Sequence, residues 1–402
     1  MFPAPCPLRV LFSTFGSRGD IAPYIAIARE LKRLGHKPVI ATARAFREMI
    51  EAAGVEWAFC PPDAPDERGQ KQLMNAARGD EWLFRQLLLP SLKASVQTLG
   101  ELAQGAEVLV THTTSLAGPI VAAQRAADLK WVSSAVAPLG LLEPRLNPAL
   151  PVAPWAANFP RFNGWLLELL RREFGLWFRP VQQLRRELGL SPGTNALWND
   201  AHSPLLALRL WSPHFCGPGE QTNARTTGFC FSDDPTPLAP AVARFLEGEA
   251  PLVFCAASFC GDAKWENGAV QSARDLNRRA LLLGGATDWE NETMLARRFA
   301  PLPQILPFAR ALIHGGGIGA LALGLRARVP MLLLPRAHDQ FDNARRARKL
   351  GLARVASAQT QRRELEKLLE DAELKRRIGE SGAQIAREDG ARAAARAIAE
   401  LF

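Results

Sequence analysis

Residues 311–320, with the sequence ALIHGGGIGA, join a short apolar run to a glycine-rich turn and the start of a helix. The apolar run is typical of a buried strand. Glycines let a ligand approach the backbone closely, and the free N–H groups of a helix N-terminus attract anions. The turn is not a Walker loop, because no Gly-Lys-Ser or Gly-Lys-Thr follows. The segment predicts an α/β fold with a diphosphate site at this turn.

Apolar runs around this turn extend it into a parallel sheet. Strands are predicted over residues 251–257, 279–285 and 329–335, and a helix over 321–328. The C-terminal stretch from residue 361 predicts two amphipathic helices. The last of them is expected over 385–401, at the end of a doubly wound domain.

The beginning of the chain has the same pattern. A strand run at residues 8–14 precedes a polar turn, a helix predicted from about Pro23 and a strand at 38–42. Further strand runs lie at 108–111 and 131–134. The turn consists of Gly16, Ser17, Arg18, Gly19 and Asp20. Two doubly wound α/β domains are therefore expected, facing a shared cleft.

Length and composition agree with this division. The 402 residues predict two domains, and the turn-rich stretch 213–223 places their boundary between residues 215 and 216. The net charge is +9, but lysines and arginines are interspersed with acids, as on solvated helix faces, and no nucleic-acid motif is present. The six cysteines have no metal-binding spacing and indicate reduced thiols. We find neither a signal peptide nor a membrane span, which predicts a cytoplasmic protein.

A polar cluster follows the strand predicted at 329–335. Asp339 and Gln340 could bond adjacent hydroxyls of a sugar, or Asp339 could cap the next helix. The spacing Gly317-x-Gly319-x-x-Ala322, with Asp339 about 20 residues further on, is also a variant of the dinucleotide fingerprint. An NAD-dependent oxidoreductase is therefore an alternative, although Asp339 lies beyond the strand end where a ribose-binding acid belongs.

Residues 155–190 concentrate tryptophans, phenylalanines and arginines. One interpretation is a helical pair whose apolar stripe packs on the sheet. The other is a binding surface for an apolar acceptor or a patch that contacts the membrane surface, because aromatic residues and arginines suit the interface between lipid and water.

Motifs in both halves resemble family 1 glycosyltransferases of the GT-B fold. The donor-sugar signature of that family is similar to Pro303-Gln304, the turn at 314–320, Val329-Pro330 and Asp339-Gln340-x-x-Asn343-Ala344. The turn at 16–23, with Gly35-His36 closing the helix, resembles the bacterial macrolide, sterol and lipid branches. Within the family, the motifs are most similar to rhamnosyltransferases of rhamnolipid synthesis.

The resemblance implies roles for individual residues. Asp20 is expected to be the general base, with His112 orienting it or replacing it, or else Asp20 only caps its helix. The first domain, 1–215, would bind the acceptor, and the second, 216–402, the nucleotide sugar, with the helix at about 385–402 packing back on the first. The expected donor-binding residues are Ser258, Pro303, Gln304, His314, Gly316, Gly317, Ile318, Gly319, Ala320, His338, Asp339, Gln340 and Asn343.

The implied reaction is transfer, with inversion, of a hexose such as rhamnose or glucose to a hydroxyl of a lipophilic acceptor. A 3-hydroxy fatty acid derivative is the first expectation for this acceptor, and a sterol, terpenoid or polyketide the second. No metal and no cofactor besides the nucleotide sugar is expected. The partners would be these two small molecules and, peripherally, the inner face of the membrane, without nucleic acid.

The chain departs from the family pattern at several positions. Many relatives have two successive histidines and end the turn with Thr or Ser, where this chain has Gly315 and Ala320. Arg328 stands where glycine is common. Backbone N–H groups must therefore hold more of the diphosphate charge. A catalytically inactive homologue or a non-catalytic partner subunit is the alternative that these departures leave open.

Overall fold

The computed structural model describes residues 7–217, 223–232, 236–256 and 261–402. Ser258, expected to bind the donor, lies outside these residues. The chain divides into two compact units, the first formed by residues 1–232 with 389–402 and the second by residues 233–388. The cysteines in the described ranges, Cys60, Cys216, Cys230 and Cys255, are free and buried, as the sequence predicts.

Within the described residues, the first unit has a seven-stranded parallel sheet with the order β3-β2-β1-β4-β5-β6-β7. The order reverses beside the central strand β1, where Val10, Leu11 and Phe12 are fully buried. This is the strand order of a Rossmann domain. The strands are β1 (Arg9–Ser13), β2 (Lys37–Thr42), β3 (Glu56–Phe59), β4 (Val108–His112), β5 (Lys130–Ala135), β6 (Leu206–Arg209) and β7 (Ala224–Thr226).

Helices cover the faces of this sheet, because parallel strands need crossover connections. A π-helical turn, Leu83–Leu88, follows α4, and short 3₁₀ helices include Pro138–Leu141 and Pro154–Asn158. The helices are α1 (Arg18–Arg33), α2 (Arg47–Ala52), α3 (Glu67–Leu73), α4 (Gly79–Trp82), α5 (Leu92–Leu102), α6 (Gly118–Gln124), α7 (Pro160–Trp177) and α8 (Arg179–Glu187).

Helix α1 begins at Arg18, earlier than the start predicted near Pro23. Ser17 precedes the helix, and its backbone N–H and hydroxyl both donate to Asp20 Oδ2, at 2.7 and 2.9 Å. These bonds fix the first turn by side-chain capping. Pro23 lies inside the helix, where it lacks the N–H that would bond the carbonyl of Gly19.

The second unit repeats the Rossmann order. Its sheet, in the described residues, has the order β10-β11-β9-β8-β12-β13-β14, with only the β10–β11 pair antiparallel. The order reverses beside β8. The strands are β8 (Leu252–Cys255), β9 (Ala280–Leu283), β10 (Trp289–Glu290), β11 (Met294–Arg297), β12 (Ala311–His314), β13 (Met331–Leu333) and β14 (Arg354–Val355).

The helices of the second unit differ from the prediction in two places. The helix after the glycine turn begins at Ile318, because Gly317 already serves as its N-cap. The C-terminal stretch forms three helices where two were predicted, because Asp371 and Asp389 each accept an N–H bond and start a new helix. The helices are α9 (Pro240–Leu246), α10 (Ala263–Asp275), α11 (Leu302–Ile305), α12 (Ile318–Arg326), α13 (Gln340–Lys349), α14 (Gln361–Glu370) and α15 (Ala372–Ile385).

The last helix, α16 (Gly390–Ala399), belongs to the first unit and packs against α1. Its buried face includes Ala394, Ala395 and Ile398, each fully buried. Gly390 allows the approach, since a Cβ there would lie 2.4 Å from the carbonyl oxygen of Gly228. The first unit also extends beyond the predicted boundary at residue 215, because β7 pairs with β6 and completes the sheet.

We predict that Ile398→Ala lowers the free energy of unfolding by about 2–5 kcal/mol, because it leaves a cavity between α16 and α1. Urea unfolding followed by circular dichroism measures the change. Leu188→Ala is the matched control, because that side chain is 37% exposed, and it should cost less than about 1 kcal/mol. Equal losses for the two variants would contradict the packing role of α16.

Candidate active site

Asp20 lies at the carboxyl edge of the first sheet, in the first turn of α1. Its Oδ2 accepts both bonds from Ser17, whereas no bond to Oδ1 is present among the described residues. Gly16 leaves room for the carboxylate, because a Cβ there would lie 2.4 Å from Oδ2. The carboxylate is half-buried. The capping role is therefore real, and it leaves one oxygen of Asp20 to accept a proton.

His112 ends β4, the strand next to β1. Its ring is buried, 6% exposed, and meets Tyr24 edge-on at 6.2 Å between ring centroids. Burial lowers the pKa of His112, and the nearby Asp20 carboxylate opposes this by raising it. The two candidate catalytic residues therefore interact electrostatically, as expected for adjacent parallel strands that end at the same edge.

Thr114 fixes the ring of His112, a contact that the sequence did not reveal. Its hydroxyl donates to the carbonyl oxygen of Phe15 at 3.0 Å and lies 2.6 Å from His112 Nδ1. The backbone N–H of Thr114 also donates to His112 Nδ1, at 3.3 Å. Thr114 therefore holds the orientation of the His112 ring through both its hydroxyl and its backbone.

The glycine turn of the second unit is arranged around His314, the last residue of β12. His314 Nδ1 accepts the N–H of Gly316 at 3.1 Å, so a neutral ring has its proton on Nε2. That nitrogen is buried and has no hydrogen-bond partner among the described residues. Burial lowers the pKa of His314 to about 3. In the unfolded chain the His314 ring is protonated below about pH 6.5, whereas in the folded chain it stays neutral until the pH approaches about 3. His314 therefore lowers the free energy of unfolding as the pH falls through this range.

Backbone N–H groups at the start of α12 are not used within the helix. The first bond of the helix runs from Leu321 N–H to the carbonyl oxygen of Gly317. The preceding N–H groups, of Ile318, Gly319 and Ala320, therefore have no partner within the helix. Such N–H groups at a helix N-terminus are suited to bind an anion, and His314 lies only a few residues before them in the chain.

The polar cluster after β13 holds this turn in place. Asn343 is fully buried, and its Nδ2 donates to the carbonyl oxygen of Gly316 at 3.0 Å and to Asp339 Oδ2 at 2.7 Å. Gln340 Oε1 accepts the backbone N–H groups of Arg336 and Ala337, at 2.9 and 3.3 Å. Asn343, Asp339 and Gln340 therefore use part of their hydrogen-bonding capacity to hold the start of α13 and the glycine turn in place.

The remaining expected residues lie at several places. Pro303 and Gln304 are half-buried in α11, and Gln304 Nε2 donates to the carbonyl oxygen of Thr236 at 2.7 Å. His338 is half-buried with a φ of 52°. Arg18 and Gly19 form the first turn of α1. Asp339 occupies the N-cap position of α13, but its side chain makes no capping bond there. It lies beyond the end of β13, which is not where a ribose-binding acid of an NAD site would lie.

The described ranges contain no group of three His, Cys, Asp or Glu side chains placed to hold one metal ion. None of their helices combines the length and hydropathy needed to span a membrane.

We predict that Gly316→Ala destabilises the second unit by about 1–3 kcal/mol, because φ is 88° and the new Cβ would lie 3.2 Å from the carbonyl oxygen of Gln340. Gly317→Ala is the matched control, with no atom within 4 Å of its Cβ. It should change the free energy of unfolding by less than about 0.5 kcal/mol. Equal destabilisation of the two variants in urea would show that the turn does not require the left-handed conformation.

We predict that Thr114→Val lowers the pKa of His112 further, because the charged ring loses the oxygen that accepts its Nδ1–H. NMR titration of nitrogen-15-labelled histidine measures both the pKa and the tautomer. Thr113→Val is the control, because the Thr113 side chain makes no hydrogen bond in the described structure. This variant should leave the pKa and the tautomer of His112 unchanged. An unchanged pKa of His112 in Thr114→Val would show that the hydroxyl does not stabilise the charged ring.

Comparison with known proteins agrees with the architecture and with part of the predicted resemblance. Residues 10–120 match the glycosyltransferase family 28 N-terminal domain, whereas the motifs resemble family 1. The chain is 27% identical, over 378 residues, to the O-mycaminosyltylonolide 6-deoxyallosyltransferase of Streptomyces fradiae, covering 86% of this chain and 85% of that protein. It is 25% identical, over 393 residues, to a sterol 3-beta-glucosyltransferase of Leptosphaeria maculans, covering 87% of this chain but only 26% of that longer protein.

The fold is also that of solved glycosyltransferases. The crystal structure of the glycosyltransferase SsfS6 of Streptomyces sp. SF2575 superposes with a TM-score of 0.69 at 18% identity, covering 98% of this chain and 99% of that one. The same protein has been solved in complex with thymidine diphosphate. The chain is therefore a glycosyltransferase of the GT-B fold, with two Rossmann-like units and a glycosyltransferase family 28 N-terminal domain at residues 10–120.

Proposed function

We propose that this enzyme transfers a 6-deoxyhexose, with rhamnose as the first candidate, from a nucleoside diphosphate sugar to a hydroxyl of a lipophilic acceptor. The anomeric configuration inverts in this reaction. The observation that supports it most directly is the donor cluster of the second unit, where N–H groups at the start of α12 adjoin a buried, neutral histidine.

This cluster suits the diphosphate of the donor. The N–H groups of Ile318, Gly319 and Ala320 and the positive end of the helix dipole would bind the negative charge that grows on the leaving group. His314 would add the Nε2–H, because its low pKa keeps the ring neutral and its Nδ1 is already occupied by Gly316. The missing second histidine at Gly315 is compatible with this arrangement, since backbone donors do most of the binding.

Asp20 is the proposed base. Its Oδ1 is free of hydrogen bonds in the described residues, while Ser17 holds Oδ2 and orients the carboxylate. The acceptor hydroxyl gives its proton to Oδ1, its oxygen forms the new bond to the anomeric carbon, and the bond from that carbon to the diphosphate oxygen breaks. The electron pair of the broken bond leaves with the nucleoside diphosphate. His112 supports this role through its interaction with Asp20.

The sugar and the acceptor are inferred from resemblance. The motifs at 337–344 are most similar to rhamnosyltransferases of rhamnolipid synthesis, and a relative that covers most of the chain is named for 6-deoxyallose, which like rhamnose is a 6-deoxyhexose. A 3-hydroxy fatty acid derivative is the proposed acceptor. Sterols, terpenoids and polyketides are the alternative class, supported by relatives named for O-mycaminosyltylonolide and for sterols.

We predict that Asp20→Asn lowers kcat by a factor of about 10²–10⁴, because the amide cannot accept the proton. Nucleoside diphosphate binding, measured by calorimetry, should not change, since the donor cluster lies in the other unit. The asparagine in Asp20→Asn is nearly isosteric with aspartate and still accepts the bonds from Ser17, so α1 should be retained. Asp66→Asn, at the N-cap of α3, is the matched control for the loss of a capping carboxylate. Full turnover by Asp20→Asn would exclude this base, and selective loss in His112→Asn would assign the role to His112.

The donor is identified by thermal shift with dTDP-, UDP- and GDP-sugars and with NADH. Stabilisation by one nucleotide sugar, lost in a variant with Gly319→Pro at the start of α12, is the expected result. Stabilisation by NADH alone would refute the proposal. Nucleotide-sugar binding without product from any acceptor would favour a non-catalytic homologue.

A further inference from the structure

Four aromatic side chains form an exposed strip around the start of α7. Trp155, Phe159, Phe162 and Trp165 are 57%, 59%, 41% and 60% exposed. Trp155 stacks on Phe162 at 5.5 Å between ring centroids and meets Phe159 at 6.4 Å, and Phe162 lies 5.7 Å from Trp165. We call these four residues the aromatic strip. Exposed apolar surface of this size and continuity marks an interaction site.

The aromatic strip is separate from the face by which α7 packs on its own unit. Asn163 and Leu167 are buried, and Phe174 and Phe178 pack against Phe84 in the core. Leu169 and Leu176, 49% and 51% exposed, continue the outer face along the helix. The helix therefore has two apolar faces, of which only the inner one is needed for folding.

Positive charge accompanies the strip. Arg161, one turn before Trp165, is exposed and forms no ion pair among the described residues, and the same holds for Arg179, at the far end of α7 from the strip. The acidic neighbour Glu168 is instead paired, at 3.7 Å with Arg171 and at 3.5 Å with Arg172. The outer face of α7 is thus apolar, with an arginine that has no ion pair near each end of the helix, in a chain with a net charge of +9.

We propose that the aromatic strip docks on the surface of an anionic lipid bilayer, with α7 lying in the plane of the interface. Tryptophan and phenylalanine insert at the level of the headgroups, and arginines bind the lipid phosphates. A protein partner or a second copy of the chain would cover the apolar rings equally well but would not account for cations left without partners. The inference goes beyond the proposed reaction, and its test needs no turnover.

Flotation with vesicles tests the proposal. The full chain is mixed with vesicles of phosphatidylglycerol and phosphatidylcholine in equal amounts, or of phosphatidylcholine alone. We expect binding to the anionic vesicles that weakens with salt, and quenching of tryptophan fluorescence by brominated lipid. The double variant Trp155→Ser, Trp165→Ser should bind at least about tenfold more weakly, because it removes the two largest inserting side chains. Both side chains are exposed, so the fold should be retained.

Two controls match these substitutions. Phe308→Ser removes an aromatic ring that is 52% exposed in the second unit, and it should leave binding unchanged. Arg161→Gln should weaken binding to the anionic vesicles, whereas Arg298→Gln, an exposed arginine of the second unit, should not. The proposal is overturned if the wild type does not float with the anionic vesicles, or if the double variant binds them as well as the wild type does. It is also overturned if ultracentrifugation shows that the wild type and the control variants are dimers and the double variant is a monomer.

Discussion

The candidate site depends on one constraint, which is that parallel strands end at the same edge of their sheet. In each unit the strand order reverses beside a central strand, β1 in the first and β8 in the second. Loops on either side of that point diverge to opposite faces and leave the strand ends accessible. Asp20 follows β1 and His112 ends β4, the two strands at this point of the first sheet. His314 ends a strand at the corresponding point of the second sheet.

Polar residues at these two edges serve structure and chemistry at the same time. Ser17 and Asp20 begin α1, yet one oxygen of the carboxylate stays available. Asn343 bonds Asp339 at the start of α13, and the same amide supports the carbonyl of Gly316 in the glycine turn. Two glycines make room for these contacts. Gly16 leaves space for the Asp20 carboxylate, and Gly316 leaves space for the backbone carbonyl of Gln340. The orientation of the Asp20 carboxylate and of the Gly316 carbonyl is thus coupled to the start of a helix, so a change that frays the helix also disturbs these groups.

The aromatic segment divides into a part that packs on the protein and a part that is exposed. Its later residues pack into the core of the first unit around Phe84, as a helix that covers a sheet should. Its earlier residues remain in solvent and contact one another. Hydrophobic periodicity identifies apolar positions on a helix, but it cannot distinguish a face that packs on the protein from one that is exposed.

The sequence alone determined the α/β class, most strand positions, the glycine turns and the residue types at the strand ends, because these follow from local patterns of apolar residues and glycine. Arg328 illustrates the limit: its φ of 59° lies in the left-handed region that favours glycine, which only the backbone reveals. Tertiary structure decided the start of α1, the three C-terminal helices, the return of α16 to the first unit and the bond between Thr114 and His112. These depend on caps and contacts between residues distant in the chain, whose free energies are set by packing and not by local propensity.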